Sequence, residues 1–145
     1  MGAKQEAQVL ELLELFHADN FTPNLARAAS LFAEDAYYQI QVPSRPPVYG
    51  RDAIVAELSR QALDYKDCEC EILTVVSNDR TVVTERVDHV TMLHNDGRVS
   101  NPLLAIFELN DDGLIVAWRE YWDALSLCGR MGVSPEHMAQ LIGIQ

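Results

Sequence analysis

The first third of the chain repeats its apolar residues at helical spacing, and most of the rest alternates them with a period of two. Val9, Leu12, Leu13 and Phe16 recur between Gln and Glu residues, which predicts an amphipathic helix over residues 3–18. Asp19 and Asn20 end it. Thr22 and Pro23 then open a second helix, because Thr can cap and Pro suits the first turn. Its inner stripe is Leu25, Ala28, Ala29 and Phe32. A short strand is expected over residues 36–42, followed by a loop through the prolines of 43–47, which cannot donate to a ladder. A third helix over 52–63 carries Ile54, Val55, Leu58 and Leu63. Four β-type runs follow, at 68–76, 81–93, 99–109 and 114–122, separated by turn clusters rich in Asn, Asp and Gly. A short helix ending near Ile142 closes the chain. Three helices leading into an antiparallel meander predict an α+β fold, with helices covering one face of a curved sheet. At 145 residues the length suits one domain spanning 1-145.

The period-two pattern also shows where charge sits on a face that should be apolar. Leu114, Val116, Trp118, Glu120 and Trp122 share one side of the last run, so Glu120 lies among large hydrophobic neighbours. Lost solvation disfavours a carboxylate's charged form and should raise the Glu120 pKa toward the range of a general base or acid. The second run repeats the anomaly: Arg86 and Asp88 share a face with Val82, Thr84, Val90 and Met92. Side chains two apart on a strand are neighbours, so Arg86 can pair with Asp88 and reach a carboxylate on another strand. An unpaired charge there would cost several kcal/mol, whereas a network satisfies each member. From spacing alone, a buried structural ion pair accounts for this pattern better than catalysis does. Tyr38 and Ile40 share the inner side of the early strand, where a tyrosine hydroxyl can hold a water or a substrate oxygen, or simply pack.

Composition narrows the partners. With 11 Lys and Arg against 22 Asp and Glu, the net charge is −11, which argues against a phosphate backbone or an anionic membrane surface as partner. No apolar run is long enough to span a bilayer. Lys4 has no apolar segment behind it, so no signal peptide is read and a cytoplasmic location is expected. Cys68, Cys70 and Cys128 form no disulfide framework, and Cys68 and Cys70 are expected as buried, inert thiols on one strand face. The four histidines lack metal-ligand spacing, so no metal site is expected.

Several segments together carry a resemblance. Phe32-Ala33-Glu34-Asp35, Tyr38-Gln39 and Tyr49-Gly50-Arg51-Asp52-Ala53 are similar to the limonene-1,2-epoxide hydrolase family, as are Thr84-Glu85-Arg86-Val87-Asp88 and Trp118-Arg119-Glu120-Tyr121-Trp122-Asp123. The similarity runs from about residue 9 to residue 125. It implies the NTF2-like (SnoaL-like, ketosteroid-isomerase-like) cone, a curved sheet wrapped by helices around a hydrophobic pocket, usually as a homodimer. It further implies one-step epoxide opening without metal, cofactor or covalent intermediate. Carried onto this chain, Asp88 is the acid that protonates the departing oxygen and Glu120 the base that activates water. Arg86 bridges the two, and Tyr38 helps hold the water. Like charges in a dry pocket push two pKa values apart, which is how one site holds both an acid and a base.

Two positions depart from that family. Glu120 stands where the family has Asp, longer by one methylene, and Ile40 stands where it has an Asn that holds water. Gln39 or Gln41 could replace the Asn only through a bulge that turns one inward. A weaker hold on water leaves room for attack by a substrate hydroxyl, giving cyclisation, or for proton shuttling, giving isomerisation. The expected function is therefore opening of a hydrophobic small-molecule epoxide, in a pocket lined by Ile40, Leu13, Phe16, Tyr65, Val90, Leu104 and Trp122. A cyclase or isomerase using the same carboxylates, and a non-catalytic binding module, stand as alternatives.

Overall fold

The computed structural model describes residues 2–17 and 24–143. Helix α1 covers Ala3–Glu14, and its buried stripe of Val9, Leu12 and Leu13 is the one the periodicity marks. The expected stop at Asp19 and Asn20 and the cap at Thr22 and Pro23 lie outside the described residues. Helix α2 is short, Leu25–Ser30, and strand β1 begins at once with Phe32–Gln39. Phe32 is thus a strand residue and not part of a helical stripe. Its backbone pairs with Ile115, and its ring stacks 6.1 Å from Trp118. Helical spacing is equally compatible with Phe32, but a six-residue helix cannot outweigh a strand pairing together with an aromatic stack. The two-residue strand β2, Val48–Tyr49, and helix α3, Arg51–Gln61, follow.

The meander forms as the alternation predicts. Strands β3 (Tyr65–Ser77), β4 (Thr81–Met92), β5 (Arg98–Leu109) and β6 (Ile115–Trp122) pair antiparallel in chain order. Strand β1 joins β6 in parallel and carries β2 at the edge, giving a curved, unclosed six-stranded sheet in the order β2-β1-β6-β5-β4-β3. The three N-terminal helices lie against it: α1 packs on β3 and β4, α2 on β1, and α3 on β1 and β2. Trp118 is the centre of the core, with Phe107 and Phe32 stacked against it and Phe16 meeting it edge-on.

Two departures affect the cavity. After β6 the chain forms two helices, where the sequence predicts one. Helix α4 runs Ala124–Met131, with the Asp123 carboxylate accepting from the Ser126 N–H, and α5 runs Pro135–Ile142, with Ser134 capping it. Gly132, left-handed at φ 68°, separates them. Gly129 disfavours a helix in isolation, but burial of Leu127, Cys128 and Met131 offsets that cost. At the start of β6, a register irregularity between Glu108 and Leu109 places Ile115 in the fully buried core, leaving Leu114 and Val116 only half-buried. No helix among the described residues is long and apolar enough to cross a membrane.

Candidate functional site

The site is built by register. Across three strands, Thr84 on β4, Ala105 on β5 and Glu120 on β6 stand abreast. Arg86 lies two residues further along β4 and faces the same side. Ala105 is fully buried and has no side chain beyond Cβ, so the long Arg86 side chain can cross it and reach β6. The guanidinium Nε and Nη2 donate to both carboxylate oxygens of Asp88, at 2.8 and 3.3 Å, and Nη1 donates to Thr84 Oγ1 at 3.1 Å. Nη2 also donates to Glu120 Oε2. One cation thus clamps two carboxylates, as the spacing of Arg86, Asp88 and Glu120 predicts. Arg86 and Glu120 are almost wholly buried, while the Asp88 side chain keeps 21% of its surface.

Tyr38 comes from β1, beside Trp118 in the parallel pairing, and the two rings stack at 4.2 Å. Its hydroxyl donates to Glu120 Oε1 at 3.4 Å and accepts from Gln61 Nε2 at 3.2 Å. Gln61, at the end of α3, is held from two sides. Its carbonyl oxygen accepts from the Tyr65 hydroxyl at 3.2 Å, and its amide also reaches the buried carboxylate of Glu57 at 3.4 Å. Gln39 and Gln41 do not turn into the site: Gln39 donates to the Arg45 carbonyl and Gln41 to the Trp122 carbonyl. The sequence reading missed Gln61. The signal is the helical period, because Ile54, Glu57, Leu58 and Gln61 form one buried face that includes two polar members.

Environment shifts these groups in a consistent direction. Burial pushes the Glu120 carboxyl above the usual carboxylate range; the Arg86 charge opposes this and the Asp88 charge adds to it. Burial, reinforced by Glu120, raises the Tyr38 hydroxyl well above its ordinary value, so it stays a hydrogen-bond donor. Burial works against the Arg86 charge, but Glu120 and Asp88 outweigh it and leave the guanidinium more firmly protonated than usual. Glu57 is also penalised by burial, yet the Arg60 fork holds it below the carboxylate range, giving Gln61 an ionised anchor. A hydrogen bond with the Cys68 thiol and burial raise the Cys70 thiol, and both cysteines are free and buried, as the strand alternation predicts. Among the described residues no group of three or more His, Cys, Asp or Glu side chains could hold a metal ion.

Two cavities adjoin at this network. The inner chamber, about 30 Å³, is walled by Leu13, Phe16, Tyr38, Trp118 and Arg86, and is large enough for a water molecule. The outer cavity, about 150 Å³, is mostly apolar and includes Ile40, Val90, Leu103 and Trp122. Gln61, Tyr65, Cys68, Asp88 and Glu120 border both. Leu104 does not line either cavity. It is 41% exposed on the outer sheet face, and its neighbour Leu103 takes the inward place, because alternation on β5 puts odd-numbered residues inside. The far wall of the outer cavity comes from α4 and α5 through Leu127, Met131, Met138, Leu141 and Ile142, a contribution the sequence reading did not anticipate. Asn101, opposite Asp88 on β5, also faces this cavity and was likewise missed.

Comparison with known proteins agrees with this architecture. The chain matches the SnoaL-like domain over residues 9–118. It is similar in fold to a protein assigned as a polyketide cyclase from Xanthomonas campestris pv. campestris, with TM-score 0.75 and 21% identity, covering 88% of this chain and 96% of that one. An LEH-like epoxide hydrolase from M. tuberculosis superposes with TM-score 0.73 and 20% identity, covering 97% and 96% of the two chains. An epoxide hydrolase/cyclase-like enzyme with a role in pyran ring formation in the polyether salinomycin matches with TM-score 0.71 and 18% identity, covering 83% and 91%. Hydrolases and cyclases thus share this scaffold, and at such identities the likeness is one of fold. A six-stranded curved sheet with its helices around an inner cavity is the NTF2-like arrangement, and with the match spanning most of its length the chain belongs to the SnoaL-like domain family.

Proposed function

We propose that this protein opens a hydrophobic small-molecule epoxide by one-step general acid–base attack of water. The observation that carries the reading is Arg86 hydrogen-bonded to both Asp88 and Glu120 at the junction of a water-sized chamber and an apolar cavity. The substrate sits in the outer cavity, with its epoxide oxygen against the partly open Asp88. Water sits in the inner chamber, held by Tyr38, Gln61 and Glu120. Glu120 takes a proton from this water while the water oxygen bonds to an epoxide carbon. The ring C–O bond breaks, and Asp88 gives its proton to the departing oxygen, leaving a vicinal diol. One proton moves from water to Glu120 and one from Asp88 to product, and exchange between the two acids restores the resting pair. Arg86 stays charged and stabilises the single negative charge the pair carries.

Gln61 answers the departure at Ile40. A carboxamide on α3 takes over the hold on water that the Ile40 side chain, just past β1, cannot supply. The extra methylene of Glu120 is accommodated because Arg86 reaches across Ala105 to meet it.

A second reading is cyclisation, in which a substrate hydroxyl replaces the water. Ile40 favours it, since this side chain lines the outer cavity and grips no water. Hydrolysis of a panel of terpenoid-sized epoxides in isotopically labelled water separates the two: the label enters a hydrolysis product and is absent from a cyclised or isomerised one. Diol formation should fall by about 10²–10⁴-fold in Asp88→Asn and in Glu120→Gln, with circular dichroism unchanged. A folded protein that turns over no epoxide would end the hydrolase reading.

A further inference from the structure

Among the inward positions of β5, Val99, Leu103, Ala105 and Phe107 are buried and apolar, and Asn101 interrupts them. Asn is disfavoured inside strands, so packing does not account for it. Asn101 is half-buried and borders the outer cavity, and its side chain makes no hydrogen bond to any described residue. The other polar side chains of that cavity are all engaged: Arg60 with Glu57 and Asp64, Gln61 with Tyr38 and Tyr65, Asp88 and Glu120 with Arg86. The only free hydrogen-bonding side chain on this wall, among the described residues, therefore stands directly across the β4–β5 pair from Asp88.

A ligand that fills the cavity strips water from Asn101. If it offers no partner, it leaves a desolvated amide unpaired, which is more costly than never having placed an amide there. Directly opposed residues in an antiparallel pair have Cβ atoms about 5 Å apart. Two oxygens on one ligand can reach Asp88 and Asn101 together when they lie on carbons that are adjacent or one further apart. Arg60 is neutralised by Glu57 and Asp64, so no free cation remains for an acidic ligand group. We infer that Asn101 is a second substrate-recognition point, and that the substrate is an uncharged epoxide bearing a hydroxyl or carbonyl oxygen one or two carbons from the epoxide ring. The epoxide itself rests on the function proposed above; the neighbouring oxygen rests on Asn101.

The test separates the two. Geraniol, which carries the hydroxyl but no epoxide, and its deoxy hydrocarbon are titrated against the whole protein, with Trp122 fluorescence or calorimetry as readout. Wild type should bind geraniol about tenfold more tightly than the hydrocarbon. In Asn101→Leu the preference should fall below about twofold, mainly through weaker geraniol binding, as expected when one hydrogen bond is lost. Asn101→Ser, whose side chain is too short to reach the ligand, should behave alike and is read if the Leu variant does not fold. In the turnover arm, epoxygeraniol is compared with its deoxy epoxide. Loss of the hydroxyl preference in wild type, or its survival in both variants, overturns the Asn101 assignment even if diol forms. Absence of diol with the binding preference intact overturns the hydrolase reading and leaves Asn101 as the recognition point for an oxygenated ligand.

Discussion

The role proposed for Glu120 rests on its surroundings. Burial lifts its carboxyl above the ordinary range, against the pull of Arg86, and the same carboxyl in water would be too weak a base at neutral pH. A base acts in its deprotonated form, so kcat/KM should rise as pH passes through the raised value. The acid limb is expected above the usual carboxylate range, and should vanish in Glu120→Gln together with most of the rate. An acid limb at or below that range would contradict the assignment. Stability runs the opposite way to activity: a carboxyl whose folded pKa exceeds its unfolded one contributes fully below the unfolded value. That contribution is lost as pH rises through the folded value. The anomaly was legible from alternation alone, because Glu120 falls on an inward position beside Trp118 and Trp122. Gln61 was not, since its importance depends on where the end of α3 meets β1.

Among the elements, β4, β5 and β6 act as one device. Register puts Ala105 between Thr84 and Glu120, and its small side chain leaves the path that Arg86 takes. Ala105→Val should cost about 1–3 kcal/mol by overpacking and force Arg86 off Glu120. Thermal unfolding would read the first effect, and a fall in diol formation greater than the lost stability explains would read the second. Strand alternation read from sequence places Val82, Thr84, Arg86 and Met92 correctly, because period two is a local property of extended backbone. It fails at Leu104, where the inward parity of β5 is set by its partners, and at Leu114, where the irregularity at Glu108 and Leu109 resets the phase. The α4–α5 pair was reduced to one helix because Gly129 and Gly132 read as loop punctuation, although only Gly132 ends a helix.

At the scale of the whole molecule, the described residues leave one face of the sheet uncovered. Val76, Val83 and Ile106 form a row across β3, β4 and β5 on the outer side, and Leu104 stands beside Tyr121 next to it. Val76 is 56% exposed and Leu104 41%, so much of this apolar surface faces solvent. We propose that a second copy covers it, in keeping with the homodimer that the family resemblance implies; a self-complementary face closes as a two-fold pair. Leu104→Lys should shift the protein from dimer to monomer in sedimentation velocity while leaving the inner cavity intact. A wild-type protein that sediments as a monomer at all concentrations would reject this face. The net charge of −11 makes such an interface depend on apolar contact and on salt screening of the remaining repulsion.

The order of amino acids settles what is local: the helical stripe of α1, the alternation of four strands, the turns between them, and the presence of Arg86, Asp88 and Glu120 on faces where charge is expensive. Their convergence is non-local. Strand register brings β4 and β6 within reach of one guanidinium, parallel pairing of β1 with β6 sets Tyr38 beside Trp118, and α3 delivers Gln61 from the opposite wall. Backbone preference reaches a few residues along the chain. Contacts between residues 34 and 82 positions apart depend on how the sheet curves and what packs inside it, which the periodicity of any single segment does not specify.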